Sequence, residues 1–486
     1  MTDLLILVVL LLLPLHSEGL LSTYNYTQKL DHSDPHSITF QQNVMLNDNQ
    51  WAGAKSGAPI FVLVGGVKDG PETIDDYGLL KLCAIKFQAL LVYIEHRFHG
   101  ESIPLGSIES AMSDYRVRKF LTTEQALKDS VTIIQSLKVN LSAHNSPIIV
   151  VGIGYGGALA VWLRLRYPEI AIGALASSTQ LLYYGKNTPG NGYCTTVSND
   201  FKAVDPICYE TIRRSWKAID NYKVYLNGLA RLSQIFNTCR PLQSTWEVKK
   251  WLAQLFSEAA QSEDPTNMAI TFICSQISTT KNLIKALAAT LHNELNDGRK
   301  CSDYILVQVD SPFEPDSNYT TASAWLRCNE LIFPVGCEHD TMLPAKPFHM
   351  AQFTRSCHKR FGEVLQPSSH INFYGNYNMV EALIKFGGNI IFSNGLKDPS
   401  SNGGILKDLS ETIVAITTIN GSQYWDMKQL KYDDPEWLKN KRDEELEVFK
   451  QWIKQYQHNN NKSSLVACCL FICFVLEFLV FYILCM

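Results

Sequence analysis

Acyl transfer by a serine needs three groups: a hydroxyl nucleophile, an imidazole to take and return its proton, and a carboxylate to fix the imidazole. The stretch Ile148-Ile-Val-Val-Gly-Ile-Gly-Tyr-Gly-Gly157 has the layout that presents such a hydroxyl. An apolar run breaks at a glycine-rich corner and continues as Ala158-Leu-Ala-Val-Trp-Leu-Arg-Leu-Arg-Tyr167, which reads as a buried strand, a tight turn and a helix. In the G-x-S-x-G frame this turn is strained and holds a serine at the sheet edge, with a helix N-terminus behind it. Here Gly152-Ile-Gly-Tyr-Gly156 supplies the frame, and its central residue, Gly154, is glycine. The corner is present without its nucleophile.

Other reactive side chains do not replace it. Ser177 and Ser178 fall at a strand end and read as packing or loop residues, and His96 and His99 precede any acid candidate in the chain. Glu338 and His339 beside Cys337 are lone neighbours without metal-ligand spacing, so they read as surface loop. Neither a metal nor a cofactor is expected.

The elements around the corner alternate. Ile60-Phe-Val-Leu-Val-Gly-Gly66 and Leu90-Leu-Val-Tyr-Ile-Glu95 are apolar runs of the kind buried on both faces of a parallel sheet. Thr122-Thr-Glu-Gln125 is a capping box ahead of a helical repeat from Ala126 to Leu137. Pro168 stops the helix after the corner, and Ile170-Ala-Ile-Gly-Ala-Leu-Ala176 is another strand. Such alternation is the signature of a wound parallel sheet, an α/β class of fold. Beyond Ser178 the pattern turns helical, with amphipathic stretches at Ile212 to Leu229, Trp246 to Ala260 and Lys281 to Leu295. Sheet character returns at Asn389-Ile-Ile-Phe-Ser393 and from Thr412 to Ile419, and a last helix from Pro435 places Leu446, Phe449, Ile453 and Tyr456 on one face. The expected division is a signal peptide over 1–19, core over 20–183, a helical insertion over 184–372, core again over 373–457, a polar linker over 458–464 and a hydrophobic end over 465–486. An independent second domain is the other reading of the helical region.

The chain of 486 residues carries a formal charge of -4, which offers nucleic acid no attraction. The run from Leu4 to Leu15 is too short to span a bilayer and suits an export signal. Nine cysteines precede the tail without zinc-like spacing, so an oxidised framework with one thiol over is expected, Cys83 being the candidate. Glycosylation sequons stand at Asn25, Asn140, Asn318, Asn420 and Asn461. The apolar run from Leu465 to Met486 is long enough to cross a bilayer, but Glu477 interrupts it and no basic residue follows. A transmembrane anchor and a removable GPI signal both fit, and either tethers the folded part to a membrane outside the cytosol.

Several longer motifs carry a family resemblance. They include Gln28-Lys-Leu-Asp-His32, Thr39-Phe-Gln-Gln42, Val64-Gly-Gly66, Glu95-His-Arg-Phe-His-Gly-Glu-Ser102, Leu121-Thr-Thr-Glu-Gln-Ala-Leu127, Tyr155-Gly-Gly157, Trp325, Cys328, Glu330 and Phe392-Ser-Asn-Gly395. In these the chain resembles the prolylcarboxypeptidase, dipeptidyl peptidase II and thymus-specific serine protease family. The resemblance implies an α/β-hydrolase fold with a helical insertion, and relatives that are secreted or lysosomal peptidases favouring proline next to the cleaved bond.

The resemblance also assigns positions. The nucleophile falls on Gly154, and the acid on Asp398 in Asn394-Gly-Leu-Lys-Asp-Pro399, with Ser400 where an aromatic is usual. The base segment falls on Gly421-Ser-Gln-Tyr-Trp-Asp-Met-Lys428, with Gln423 and Tyr424 where histidines are expected. Glutamine does not titrate, and tyrosine has a reference pKa of about 10. The oxyanion region falls on Gly65, Gly66 and Tyr155, with Val67 where a glutamate is expected. The reading is a catalytically inactive, membrane-tethered homologue that binds a peptide or protein ligand, with its status as an enzyme left open. The alternatives are an active peptidase with a non-standard site and an adhesion or receptor-like ectodomain, with a homodimer among the open assemblies.

Overall fold

A computed structural model of the chain describes residues 21–65, 74–184, 190–263, 268–278, 282–294, 301, 321–362 and 379–484, with side chains beyond 462 left undescribed. The export signal, Gly66, Val67 and Asn318 therefore lie outside the described residues, as do the side chains of Asn461 and of the C-terminal run.

Eight strands form one sheet: β1 Leu21–Lys29, β2 Thr39–Asn47, β3 Ile60–Val64, β4 Leu90–Ile94, β5 Ile148–Ile153, β6 Gly173–Ser177, β7 Ile390–Gly395 and β8 Ile413–Thr418. Their order is β1-β2-β4-β3-β5-β6-β7-β8. β2 pairs antiparallel with both β1 and β4, and every pairing from β4 through β8 is parallel. β3, β4 and β6 are buried along their whole length, as is β5 up to Gly152, because helices cover both faces.

The helices are α1 Gly78–Phe87, α2 Ile108–Ser113, α3 Tyr115–Arg118, α4 Thr123–Asn140, α5 Tyr155–Arg166, α6 Gly192–Val204, α7 Pro206–Asp220, α8 Gly228–Ile235, α9 Thr245–Ser262, α10 Ala269–Ser278, α11 Leu283–Glu294, α12 Thr321–Asn329, α13 Met350–Phe361, α14 Met379–Phe386 and α15 Glu436–Leu484. The Thr122 hydroxyl caps α4 by accepting from the Gln125 amide. α15 lays Leu446, Phe449, Trp452 and Ile453 against the sheet, with the Phe449 ring 5.3 Å from Phe61. Together these features make an α/β-hydrolase fold with a cysteine-containing helical insertion.

The insertion has its own core. Cys194, Phe201, Trp216, Leu252, Phe256 and Ile273 belong to a cluster separate from those on the two sheet faces. α12 and α13 instead contribute Trp325, Leu326, Phe353 and Phe361 to the main core. Disulfides join Cys194 to Cys337, Cys208 to Cys274, Cys239 to Cys301 and Cys328 to Cys357, leaving Cys83 free and buried. The helix expected from Ile212 to Leu229 is two: α7 ends at Asp220, and α8 starts only at Gly228. Asn227 between them has a φ of 57°. A Cβ at Gly228 would strike the Tyr222 carbonyl, so this close approach needs glycine.

Candidate functional site

The corner after β5 has the geometry of a nucleophile elbow. Gly154 sits at φ 56°, ψ −118° as the N-cap of α5, and its amide donates to the Ser177 carbonyl at 2.9 Å. L-residues avoid that region of backbone space at a cost of about 1–3 kcal/mol, which glycine largely escapes. Space is not what excludes a side chain, because a Cβ built on Gly154 meets no atom within 4 Å. The flanking glycine is different: a Cβ at Gly152 would collide with the Gly156 carbonyl. β5 and α5 approach too closely there for any side chain.

Asp398 follows β7 and is fully buried. Its Oδ1 accepts from the Ser400 amide at 2.9 Å, while Oδ2 is buried with no hydrogen-bond partner. Burial pushes its carboxyl up to about 6, against the stabilising effect of Ser400, the Ser178 hydroxyl and the Lys441 charge. A carboxylate that steadies an imidazolium would use such an oxygen. No histidine is at the position the resemblance assigns to the base.

That position is a tied-down loop. The Tyr424 amide donates to the Ser178 hydroxyl at 2.7 Å, and Tyr424 has a φ of 43°. The Gln423 amide donates to the Gln261 carbonyl at the end of α9, and the Ser422 hydroxyl to the Glu263 carbonyl at 2.7 Å. The Tyr424 side chain packs on the core layer that holds Tyr77 and Ile153. The last turn of an insertion helix thus fastens the loop from one side and the sheet edge from the other.

The remaining candidates have structural duties. Ser177 is fully buried and donates to Asp426 Oδ1 at 2.7 Å. His96 and His99 place Nδ1 at 2.8 and 2.9 Å from the Arg97 carbonyl, and burial drives His96 well below the ordinary histidine range. Arg97 grips Asp129 with Nε at 2.7 Å and a terminal nitrogen at 2.6 Å, and also donates to the Leu30 and Phe120 carbonyls. His32 meets the same Asp129 at 2.7 Å. The Gln28–His32 and Glu95–Ser102 motifs are therefore joined by one buried ion pair. Glu338 and His339 are exposed and Cys337 is in a disulfide, and among the described residues no group of three or more His, Cys, Asp or Glu could hold a metal.

In the oxyanion region, the Gly65 amide is spent on the Ile94 carbonyl at 2.9 Å. Tyr155 opens α5, and its hydroxyl lies 3.2 Å from the Thr123 hydroxyl. Glu330, at the end of α12, accepts from the Thr123 amide at 2.6 Å and is held up to about 7 by burial. Glu330 was legible only as part of a motif, because its partner is about 200 residues away in sequence.

Comparison with known proteins follows the same outline. The sequence pattern of serine carboxypeptidase S28 matches residues 28–445. The lysosomal Pro-X carboxypeptidase of Bos taurus is 31% identical over 444 residues, 88% of this chain and 87% of that protein. Its Homo sapiens counterpart is 30% identical over 456 residues, 91% of this chain and 90% of that protein. A proline iminopeptidase structure from Mycobacterium smegmatis aligns over 90% of this chain and 100% of its own at 10% identity, with a TM-score of 0.37, too loose to bear on function. With the elbow, the buried acid and the insertion all in place, and with relatives matched along nearly their full length, the chain belongs to the serine carboxypeptidase S28 family.

Proposed function

We propose that this chain is a non-catalytic member of its family, which uses the cleft between core and insertion to bind a peptide or protein without cutting it. The observation that carries the reading is Gly154: the elbow keeps its geometry and open space, and the residue there has no side chain to form an acyl-enzyme. Gln423 and Tyr424 add the loss of a base. Loss of a single triad member already lowers such catalysis by orders of magnitude.

The likeness to Pro-X carboxypeptidases favours a proline-containing peptide as the ligand. Four disulfides and the lysosomal relatives favour the secretory pathway, with the C-terminal run as the tether. Among the described residues no helix is long and apolar enough to cross a membrane, and the side chains of that run lie outside them.

Fluorophosphonate labelling of the purified chain, beside titration with proline-containing peptides, tests this. Saturable peptide binding without labelling is the expected result. Labelling near one per chain, or turnover abolished by a single change in the cleft, would establish an active peptidase with a non-standard site.

A further inference from the structure

Two further acids lie on the α15 side of the sheet, outside the triad positions. Ser177 on β6 and Ser393 on β7 are register partners, so their side chains leave the same face of adjacent strands. Ser177 donates to Asp426 Oδ1 at 2.7 Å, and Ser393 donates to Glu445 Oε1 at 2.6 Å. Two serines on strands spaced about 5 Å apart thus each hold a carboxyl group on the same face of the sheet, and Asp426 acts on Glu445 electrostatically. The other oxygens, Asp426 Oδ2 and Glu445 Oε2, are both buried without a hydrogen-bond partner. Asp426 is 1% exposed and Glu445 0%.

We propose that Asp426 and Glu445 share one proton across the Ser177–Ser393 rung, forming an acid-retained clamp between the last helix and the loop that carries Gln423 and Tyr424. The proton rides on Glu445 Oε2 and is donated to Asp426 Oδ2, which satisfies both orphaned atoms with one hydrogen bond. When it leaves for solvent, two carboxylates remain buried beside each other and repel.

The Lys441 and Arg442 charges offset part of this, but burial and Asp426 outweigh them. Lys441 places Nζ on the Asn394 carbonyl at 2.7 Å. Arg442 donates to the Asp426, Trp425 and Lys428 carbonyls and pairs with Asp434 at 2.6 Å. From α1, Cys83 faces Glu445, and burial keeps its thiol neutral. β6 and β7 present the two serine hydroxyls. Burial, and then Asp426, raises Glu445 from 4.5 to about 8. Because the folded value is raised, the clamp's stabilisation is complete below about pH 4.5 and is lost as pH rises through about 8. The former base loop is held firmly in an acidic compartment and loosened outside it, whether or not the cleft cuts peptides.

Thermal unfolding of the full chain across pH 4.5 to 8.5 tests the clamp in the parent, Glu445→Gln and Asp426→Asn. The parent's Tm is expected to fall by several degrees toward the alkaline end, and Glu445→Gln, a mimic of the protonated acid, to remove at least half of the fall above pH 6. An undiminished fall in Glu445→Gln would overturn the proposal. If neither variant folds, infrared spectroscopy of the parent decides: Asp398 titrates near 6 and Glu330 and Asp200 near 7, so the signal that counts is the protonated-carboxyl absorption left at pH 7.5 once the step centred near 7 is subtracted. A protonated-carboxyl band there supports the shared proton, and its absence excludes it. One tightly held cation per chain, found by metal analysis of the parent, would also overturn it.

Discussion

The Ser178 hydroxyl accepts the Tyr424 amide at 2.7 Å, joining the end of β6 to the loop where the resemblance expects histidines. Ser178 is itself in the left-handed region, at φ 46°, and its amide donates to the Ser393 carbonyl. A strained residue next to the elbow's own partner, Ser177, therefore fixes the height of the former base loop. The loop is held by backbone groups, so its position does not depend on the Gln423 or Tyr424 side chains being histidine.

The first prediction concerns strain at the elbow. Gly154 has room for a side chain but a backbone conformation that penalises one. Gly154→Ser should therefore lower stability by about 1–3 kcal/mol without turnover, and Gly154→Ala should do the same. Calorimetric melting of both variants checks this. A serine variant that melts no lower than the parent would show that the turn is not strained.

Asp398 supplies a pH signature. Its folded value of about 6 lies above the ordinary 3.8, so its burial cost is absent below pH 4 and complete above pH 6. Carrying the carboxyl from its ordinary value to about 6 sets an upper bound of about 3 kcal/mol at neutral pH. Asp398→Asn removes the titration while keeping an acceptor for the Ser400 amide. Unfolding free energies at pH 4 and pH 6.5 should differ less in Asp398→Asn than in the parent, with a gain for the variant at the higher pH.

How much of this could be read from sequence depends on the range of each contact. The glycine corner and the Thr122 cap are local patterns of a few residues, and the structure has both, although the Gln125 side chain turns to Asp31 and the His32 amide and leaves the capping box half made. The break at Asn227 was missed because amphipathic spacing continues across it, while the close approach of Gly228 to Tyr222 is visible only in space. Gln423 with Gln261, Thr123 with Glu330 and Ser177 with Asp426 pair distant segments, and no periodicity marks such partners. Arg97, inside a long matched motif, is spent on a buried ion pair with Asp129, so a charged residue in such a motif can serve the core and not the site.

Glu330 offers the third prediction. Its carboxyl satisfies the Thr123 amide in a fully buried site beside Tyr155. Glu330→Ala leaves that N–H without an acceptor and should cost about 1–3 kcal/mol. Glu330→Gln keeps an acceptor and loses the charge, so it should cost less and flatten the stability profile between pH 4.5 and 7, where the raised carboxyl of the parent loses its advantage. Denaturant melts of both variants across that interval separate the hydrogen bond from the charge. Equal costs would mean that Glu330 acts by packing alone.

The last prediction is a rescue. Gly154→Ser puts a hydroxyl at an elbow whose space is open, Asp398 already presents an unpartnered oxygen, and the loop at 423–424 is held by its backbone. The missing pieces are thus side chains on an intact frame, and Gly154→Ser with Gln423→His and Tyr424→His restores each. Both loop positions are changed because either could carry the working imidazole. Tyr424→His also removes a ring from the core, so the triple variant should be less stable than the parent and is best assayed at low temperature. Weak turnover of proline-containing peptides is expected, with covalent capture by a fluorophosphonate, and Asp398→Asn in the same background should abolish most of it. Capture without turnover would place the defect in the base loop rather than the elbow. Neither capture nor turnover from a folded variant would mean that the cleft has been reshaped beyond its missing triad side chains.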